Sequence, residues 1–194
     1  MEKIKELKEK LRVTRPAYWE QLPDIELYKD QVLSYMQRQL LPSENGEILT
    51  SAMINNYIKA GALPRPNGKK YGREHLAFLT AICALKPVMS VNDMEYLLKK
   101  QNDSLDAKSF YELVGTHIDK AMTETAENLN DNLDESALPE YILSTALQAA
   151  GLRIVCERLL QLMRDKDTVL EKESKNKTQN GTKKDKKENK EDNK

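Results

Sequence analysis

Between Thr50 and Arg73 the chain carries five basic residues, Lys59, Arg65, Lys69, Lys70 and Arg73, and no acidic one. Thr50, Ser51, Asn55, Asn56, Asn67 and Tyr71 lie among them. This mixture suits a nucleic-acid duplex. Lys and Arg neutralise phosphates and release condensed counterions. Asn presents a paired donor and acceptor that match an adenine edge in the major groove. Hydroxyl groups and helix N-terminal amides bind phosphate oxygens and fix register. These eleven residues are the candidate DNA-binding set. The competing reading is a solvated basic surface, and the order of local elements argues against it: a capped helix, a Gly stop, a Pro-Asn-Gly-Lys turn, a Tyr and a second helix.

Catalytic chemistry finds little support. His75 sits at a helix start and His117 in mid-helix, neither with a Cys or His at metal-ligand spacing. There is no Gly-rich phosphate loop, no Gly-x-Ser-x-Gly and no His-Glu-x-x-His. The carboxylates of 103–140 have the spacing of a solvated face. The expectation is no enzyme, no metal and no cofactor. Cys83 and Cys156 lie far apart in apolar patterns, which points to free, buried thiols in a reducing cytoplasm. The N-terminal segment is charged and lacks the apolar core of a secretory signal. The apolar stretches are too short for a membrane span, and no lipidation signal is legible.

The elements that must position the basic residues follow from periodicity. Ile4, Leu7 and Leu11 predict a short amphipathic helix or partner-binding arm, ended by Pro16. Tyr18, Trp19 and Leu22 form an apolar clasp, with Trp19 packed on the body. Asp24 reads as the N-cap of a helix over 24–41 on which Ile25, Tyr28, Val32, Tyr35, Met36 and Leu40 share a face. Pro42 stops it, and 43–48 read as a polar turn. Thr50 caps a helix whose apolar stripe is Met53, Ile54, Tyr57 and Ile58, and Gly61 ends it. Pro66-Asn67-Gly68 predicts a small hairpin or wing. Gly72 opens a helix over 73–86 with Leu76, Leu79, Ile82 and Cys83 inward, and Pro87 closes it. Ser90 and Asp93 start another helix on which Met94, Leu97 and Leu98 face the core.

Residues 101–104 read as a linker. A helix over about 105–129 carries Phe110, Val114, Ile118, Ala121, Met122, Thr125 and Leu129 on one stripe. Another, over about 139–170, is apolar on much of its circumference, as expected of a bundle centre or a subunit interface. Gly151 within it permits close approach or a kink. The segment 171–194 has no apolar residue and is expected to be disordered. Net charge is zero but unevenly spread: 50–100 carries 8 basic and 3 acidic residues, and 101–170 carries 6 and 13. That asymmetry suggests a polyanion-contacting module joined to a different functional region. The expected division is an arm at 1–22, a core module at 23–100, a helical dimerisation or signal region at 101–170, and a tail at 171–194.

The order of parts from Thr50 to Leu98 resembles the MerR-type winged helix. Asn56-Tyr57-Ile58-Lys59-Ala60-Gly61-Ala62-Leu63-Pro64 is similar to the end of that family's recognition helix and its exit. Gly68-Lys69-Lys70-Tyr71 resembles its wing signature. The resemblance implies that Tyr57 faces the hinge between helix and wing and that Lys69, Lys70 and Tyr71 lie near backbone phosphate. Asn55-Asn56 replaces the usual Arg-Tyr, the wing is short, and the first helix is supplied from 24–41, so base preference does not carry over. Leu22-Pro23-Asp24-Ile25, Leu27-Tyr28, Asp30-Gln31-Val32, Met53-Ile54-Asn55-Asn56-Tyr57 and Lys70-Tyr71 also resemble the bacterial family called domain of unknown function 1836, over about Pro23 to Leu147. That likeness implies a helical protein and brings no activity.

The expected fold class is therefore all-α: a MerR-like winged helix-turn-helix with a small hairpin wing, a C-terminal helical extension and a disordered tail. The expected function is double-stranded DNA binding by a homodimeric, cytoplasmic transcriptional regulator with no membrane association and an unknown small-molecule effector. The alternative is a protein-interaction or adaptor module that keeps the winged fold without binding DNA.

Overall fold

The computed structural model describes residues 2–39 and 49–191. Helix α1 (Glu2–Val13) forms where Ile4, Leu7 and Leu11 recur at helical spacing. It packs along α6 (Ala107–Asn128) rather than standing free as an arm. The Lys8 ammonium donates to the Leu129 carbonyl at 3.1 Å and lies 3.5 Å from the Asp131 carboxylate. The clasp that follows is docked on the same helix. The Tyr111 hydroxyl donates to the Ala17 carbonyl at 2.6 Å, and the Trp19 and Tyr111 rings meet at 5.8 Å. This contact bears out Trp19 as a packing residue.

The predicted helix over 24–41 begins later than its periodicity implies. Leu27–Tyr28 is a short strand, β1, and helix α2 covers Lys29–Met36. Asp24 caps nothing there. Instead the Gln31 side chain accepts from the Tyr28 amide at 2.8 Å. Val32 and Met36 are fully buried, as expected, but Ile25 and Tyr28 are exposed. The physical reason lies 43 residues downstream: β1 pairs antiparallel with β2 (Lys70–Tyr71), in the register Leu27 to Tyr71 and Tyr28 to Lys70. The backbone groups of 27–28 are satisfied by a ladder instead of a helical turn. Leu40, Pro42 and the turn read at 43–48 lie outside the described residues.

Local chemistry sets the next elements. Helix α3 (Ser51–Ala60) starts at Thr50, whose hydroxyl oxygen accepts from the Met53 amide at 3.1 Å. It ends at Gly61, whose φ of 86° is the left-handed conformation that glycine adopts without strain. Helix α4 (Arg73–Leu85) has Leu76, Leu79, Ile82 and Cys83 inward as predicted, and is buried on nearly all sides. Helix α5 (Val91–Asn102) opens with Ser90, which accepts from the Asp93 amide at 3.2 Å and donates to its carboxylate at 2.7 Å. It runs to Asn102, through half of the predicted linker.

Helix α6 begins at Asp106, which accepts from the amides of Lys108 and Ser109. Its Phe110 ring stacks on Phe78 of α4 at 5.0 Å. Phe110 and Tyr111 therefore join the core that Leu22, Val32, Met36, Ile54, Tyr57, Leu76 and Leu79 form. Ala121 and Thr125, placed on the inward stripe from sequence, are exposed, and Ala126 is buried instead. One compact unit extends to Ser144, and the other begins at Thr145.

Helix α7 (Leu138–Glu191) starts in the first unit, where the Tyr141 hydroxyl donates to the Asn128 carbonyl at 3.2 Å. Its backbone stays helical through Glu191, so residues 171–191, expected to be disordered, continue this helix. The sequence permits it, because Lys, Glu and Gln are good helix formers and the stretch contains no Pro. Cys156 is exposed on α7, against the expectation of burial, whereas Cys83 is buried. Among the described residues no helix is long and apolar enough to cross a membrane. The chain is mostly helical with one two-stranded antiparallel sheet; Lys70 pairs with Tyr28 of β1 and also closes the local turn through an antiparallel bridge to Asn67.

Candidate nucleic-acid interface

Helix α3 presents its polar side outward because its apolar side is consumed by the core. Ile54 and Tyr57 are buried, and burial raises the Tyr57 hydroxyl pKa. Ser51, Asn55 and Lys59 follow one another at i, i+4 and i+8, forming one exposed row, with Asn56 beside it. Ala62 and Leu63 are buried after the Gly61 turn, and this anchors the start of the 64–73 loop.

The loop folds back through a tight turn. Gly68 has a φ of 61°, and the Lys70 amide donates to the Asn67 carbonyl at 3.1 Å. The strand alternation then sends Lys70 outward and Tyr71 inward. His75 fastens the loop from beneath. Its Nδ1 accepts from the Gly72 amide at 3.1 Å, which leaves Nε2–H to donate to the Arg65 carbonyl at 3.3 Å. The Tyr71 and His75 rings meet edge to face at 5.4 Å. His75 is thus a structural residue, and His117 is exposed on α6.

The loop and α3 enclose a shallow depression lined by Lys29, Asn55, Ile58, Arg65 and Lys69, with Asp30 the one carboxylate on its wall. The Lys29 ammonium donates to the Asn55 side-chain oxygen at 2.6 Å, so α2 contributes a cation that sequence reasoning missed. The Lys70 ammonium lies 5.9 Å from the Tyr28 ring centroid. Among the described residues no ion pair involves Lys29, Lys59, Arg65, Lys69 or Lys70.

The candidate set therefore splits. Asn55, Arg65 and Lys69 converge on the depression, whereas Ser51, Asn56, Lys59, Asn67 and Lys70 are exposed but do not line it. Three members are committed elsewhere. The Thr50 oxygen caps α3. Tyr71 is only 2% exposed, and burial raises its pKa, so its hydroxyl is not presented to a phosphate. Arg73 donates to the Leu22 and Pro23 carbonyls at 3.2 Å and lies over Trp19, which makes it a brace between the clasp and α4. Among the described residues no group of three or more His, Cys, Asp or Glu side chains is placed to hold a metal.

Comparison with known proteins adds one finding. The family model described as Domain of unknown function (DUF1836) matches residues 17–121. Its span begins earlier and ends sooner than the 23–147 stretch read from sequence, and it includes α3, the 64–73 loop and most of α6. No curated protein and no solved structure matches the chain.

Proposed function

The chain belongs to the family Domain of unknown function (DUF1836), and on that premise we propose that its first unit binds double-stranded DNA as a transcriptional regulator. In this reading α2, α3, the 64–73 loop and α4 act as a winged helix-turn-helix of the MerR kind. Helix α3 enters the major groove, with Asn55 and Asn56 toward base edges. Lys69, Lys70 and Arg65 on the wing, with Lys29 and Lys59, contact phosphates and set the register.

One observation carries the proposal. Lys29 of α2 and Arg65 and Lys69 of the loop line one exposed depression beside Asn55 of the ten-residue helix α3, and none of the three is in an ion pair among the described residues. A polyanion supplies the missing counter-charge, and such a face raises both affinity and association rate for it. Binding of the full chain to a randomised duplex library at fixed salt tests the reading. Enrichment of a shared motif supports the regulator. Salt-insensitive or absent binding rejects it and leaves the protein-interaction module as the working alternative.

A further inference from the structure

Unit two contains a surface that the DNA-binding reading does not use. On α7, Leu152, Val155, Leu159, Leu162, Lys166 and Val169 recur at alternating three- and four-residue steps, the spacing of a coiled-coil seam. The five apolar members of this row are between 53% and 68% exposed. Arg153, Glu157, Gln161 and Arg164 lie on the opposite side, together with Ile154 and the buried Leu160. With Leu152, Leu159 and Lys166 at position a, the d positions are Val155, Leu162 and Val169.

We propose that this row pairs with the same row of a second copy of the chain, and that the two helices run antiparallel. The orientation follows from side-chain chemistry. In a parallel pair, a faces a, so Lys166 would meet its own copy. The flanking g and e positions would also set Arg158 against Met163 and Asp165 against Leu170, so neither charge would be answered. In an antiparallel pair centred between residues 160 and 161, a faces d of the other copy. Leu159 then packs on Leu162, Leu152 on Val169, and Lys166 on Val155. Along one edge, g faces g and Arg158 meets Asp165, twice by symmetry. Along the other edge, e faces e and Cys156 meets Met163. Opposite charges gather on one side of the seam and apolar groups on the other. Charge complementarity thus selects both the occupant and its direction.

The pairing stands apart from the DNA-binding reading, and its test does not use DNA. Take the full chain carrying Cys156→Ser and Ala146→Cys, spin-labelled at 146, with Cys83 buried and unlabelled. Sedimentation at micromolar concentration should give a dimer. The two labels are 29 residues apart along the common axis in the antiparallel arrangement, so their separation should be about 44 Å at 1.5 Å per residue. A monomer, or a label separation under about 25 Å as side-by-side parallel helices require, overturns the proposal. Arg158→Asp should weaken the dimer about tenfold by making both edge pairs repulsive. Adding Asp165→Arg should restore it. Failure of that restoration also overturns the antiparallel pairing. Leu159→Asp should yield a monomer whose Trp19 fluorescence still reports a folded first unit, and a variant that stays dimeric counts against the seam.

Discussion

Replacing Lys69 and Lys70 together by Ala isolates the electrostatic part of the proposed interface. Both side chains are exposed and neither is in an ion pair among the described residues, so the folded state loses little. The main local cost is the Lys70–Tyr28 ring contact, worth about 0.5–1 kcal/mol at an exposed site. Each phosphate contact contributes about 0.9 to the slope of log K against log salt, so removing two should flatten that slope by about 1.8. At roughly 0.15 M salt the same two contacts amount to about a 30-fold loss of affinity, or about 2 kcal/mol. Raising salt fourfold should weaken the native protein about 12-fold more than the variant. Fluorescence anisotropy of a labelled duplex, titrated with protein from roughly 50 to 200 mM salt, reads both quantities. The loss should be nearly equal for unrelated sequences, because phosphate contacts carry no base information. If the double variant keeps the native slope and affinity while melting normally, the loop is not a phosphate-binding wing and the convergence of cations has another purpose.

Four further outcomes follow from other parts of the molecule. Asn55→Ala should relax selection at one base position by about 1–3 kcal/mol and leave the salt slope unchanged, as read by sequencing of library-selected duplexes. Gly61→Ala should destabilise the first unit by about 1–2 kcal/mol in urea, because φ is 86° there; the added Cβ would sit 3.5 Å from Glu95, so the cost is conformational and not steric. Tyr35→Phe should leave stability unchanged or raise it by about 1 kcal/mol, since the Tyr35 hydroxyl is buried with no partner among the described residues. Burial pushes the Cys83 thiol from an ordinary value of 9.0 up to about 11. Above about pH 9 the unfolded chain releases this proton while the folded one retains it, so stability should fall between pH 9 and pH 11, by about 3 kcal/mol. Cys83→Ala should remove that component from denaturant midpoints measured across the range, and a thiol reagent near pH 8 should modify Cys156 alone until the protein unfolds.

Features fixed by near neighbours in the chain were legible in the sequence. Thr50, Gly61, Gly72 and Ser90 mark helix ends by chemistry confined to a few residues, and the structure places them so. Features fixed at a distance were not. Ile25 and Tyr28 fit the helical register of Val32 and Met36, yet 27–28 became a strand because Lys70–Tyr71 offers it a ladder. That pairing also explains why Lys29 escaped notice: its route to Asn55 is a consequence of β1 and β2 meeting. Tyr71 illustrates a signal that was present but unused. In a two-residue strand successive side chains point oppositely, so an outward Lys70 requires an inward Tyr71. The division read at 101 rested on the polar stretch 101–104 and on a change in charge there. Charge describes surfaces, and the core crosses that point through Phe110 and Tyr111.

The ladder between Leu27–Tyr28 and Lys70–Tyr71 also governs how the molecule can be cut. The loop is held by residues that precede α2, and Arg73 reaches still further back to the carbonyls of Leu22 and Pro23. Trimming the chain to the stretch that carries the basic residues would strip away the support on which their spacing depends. A fragment that begins at α2 would retain every candidate contact in its sequence and present them on an unbraced loop. Deletion mapping would then assign recognition to residues 1–28, although their part is to keep a distant turn in place.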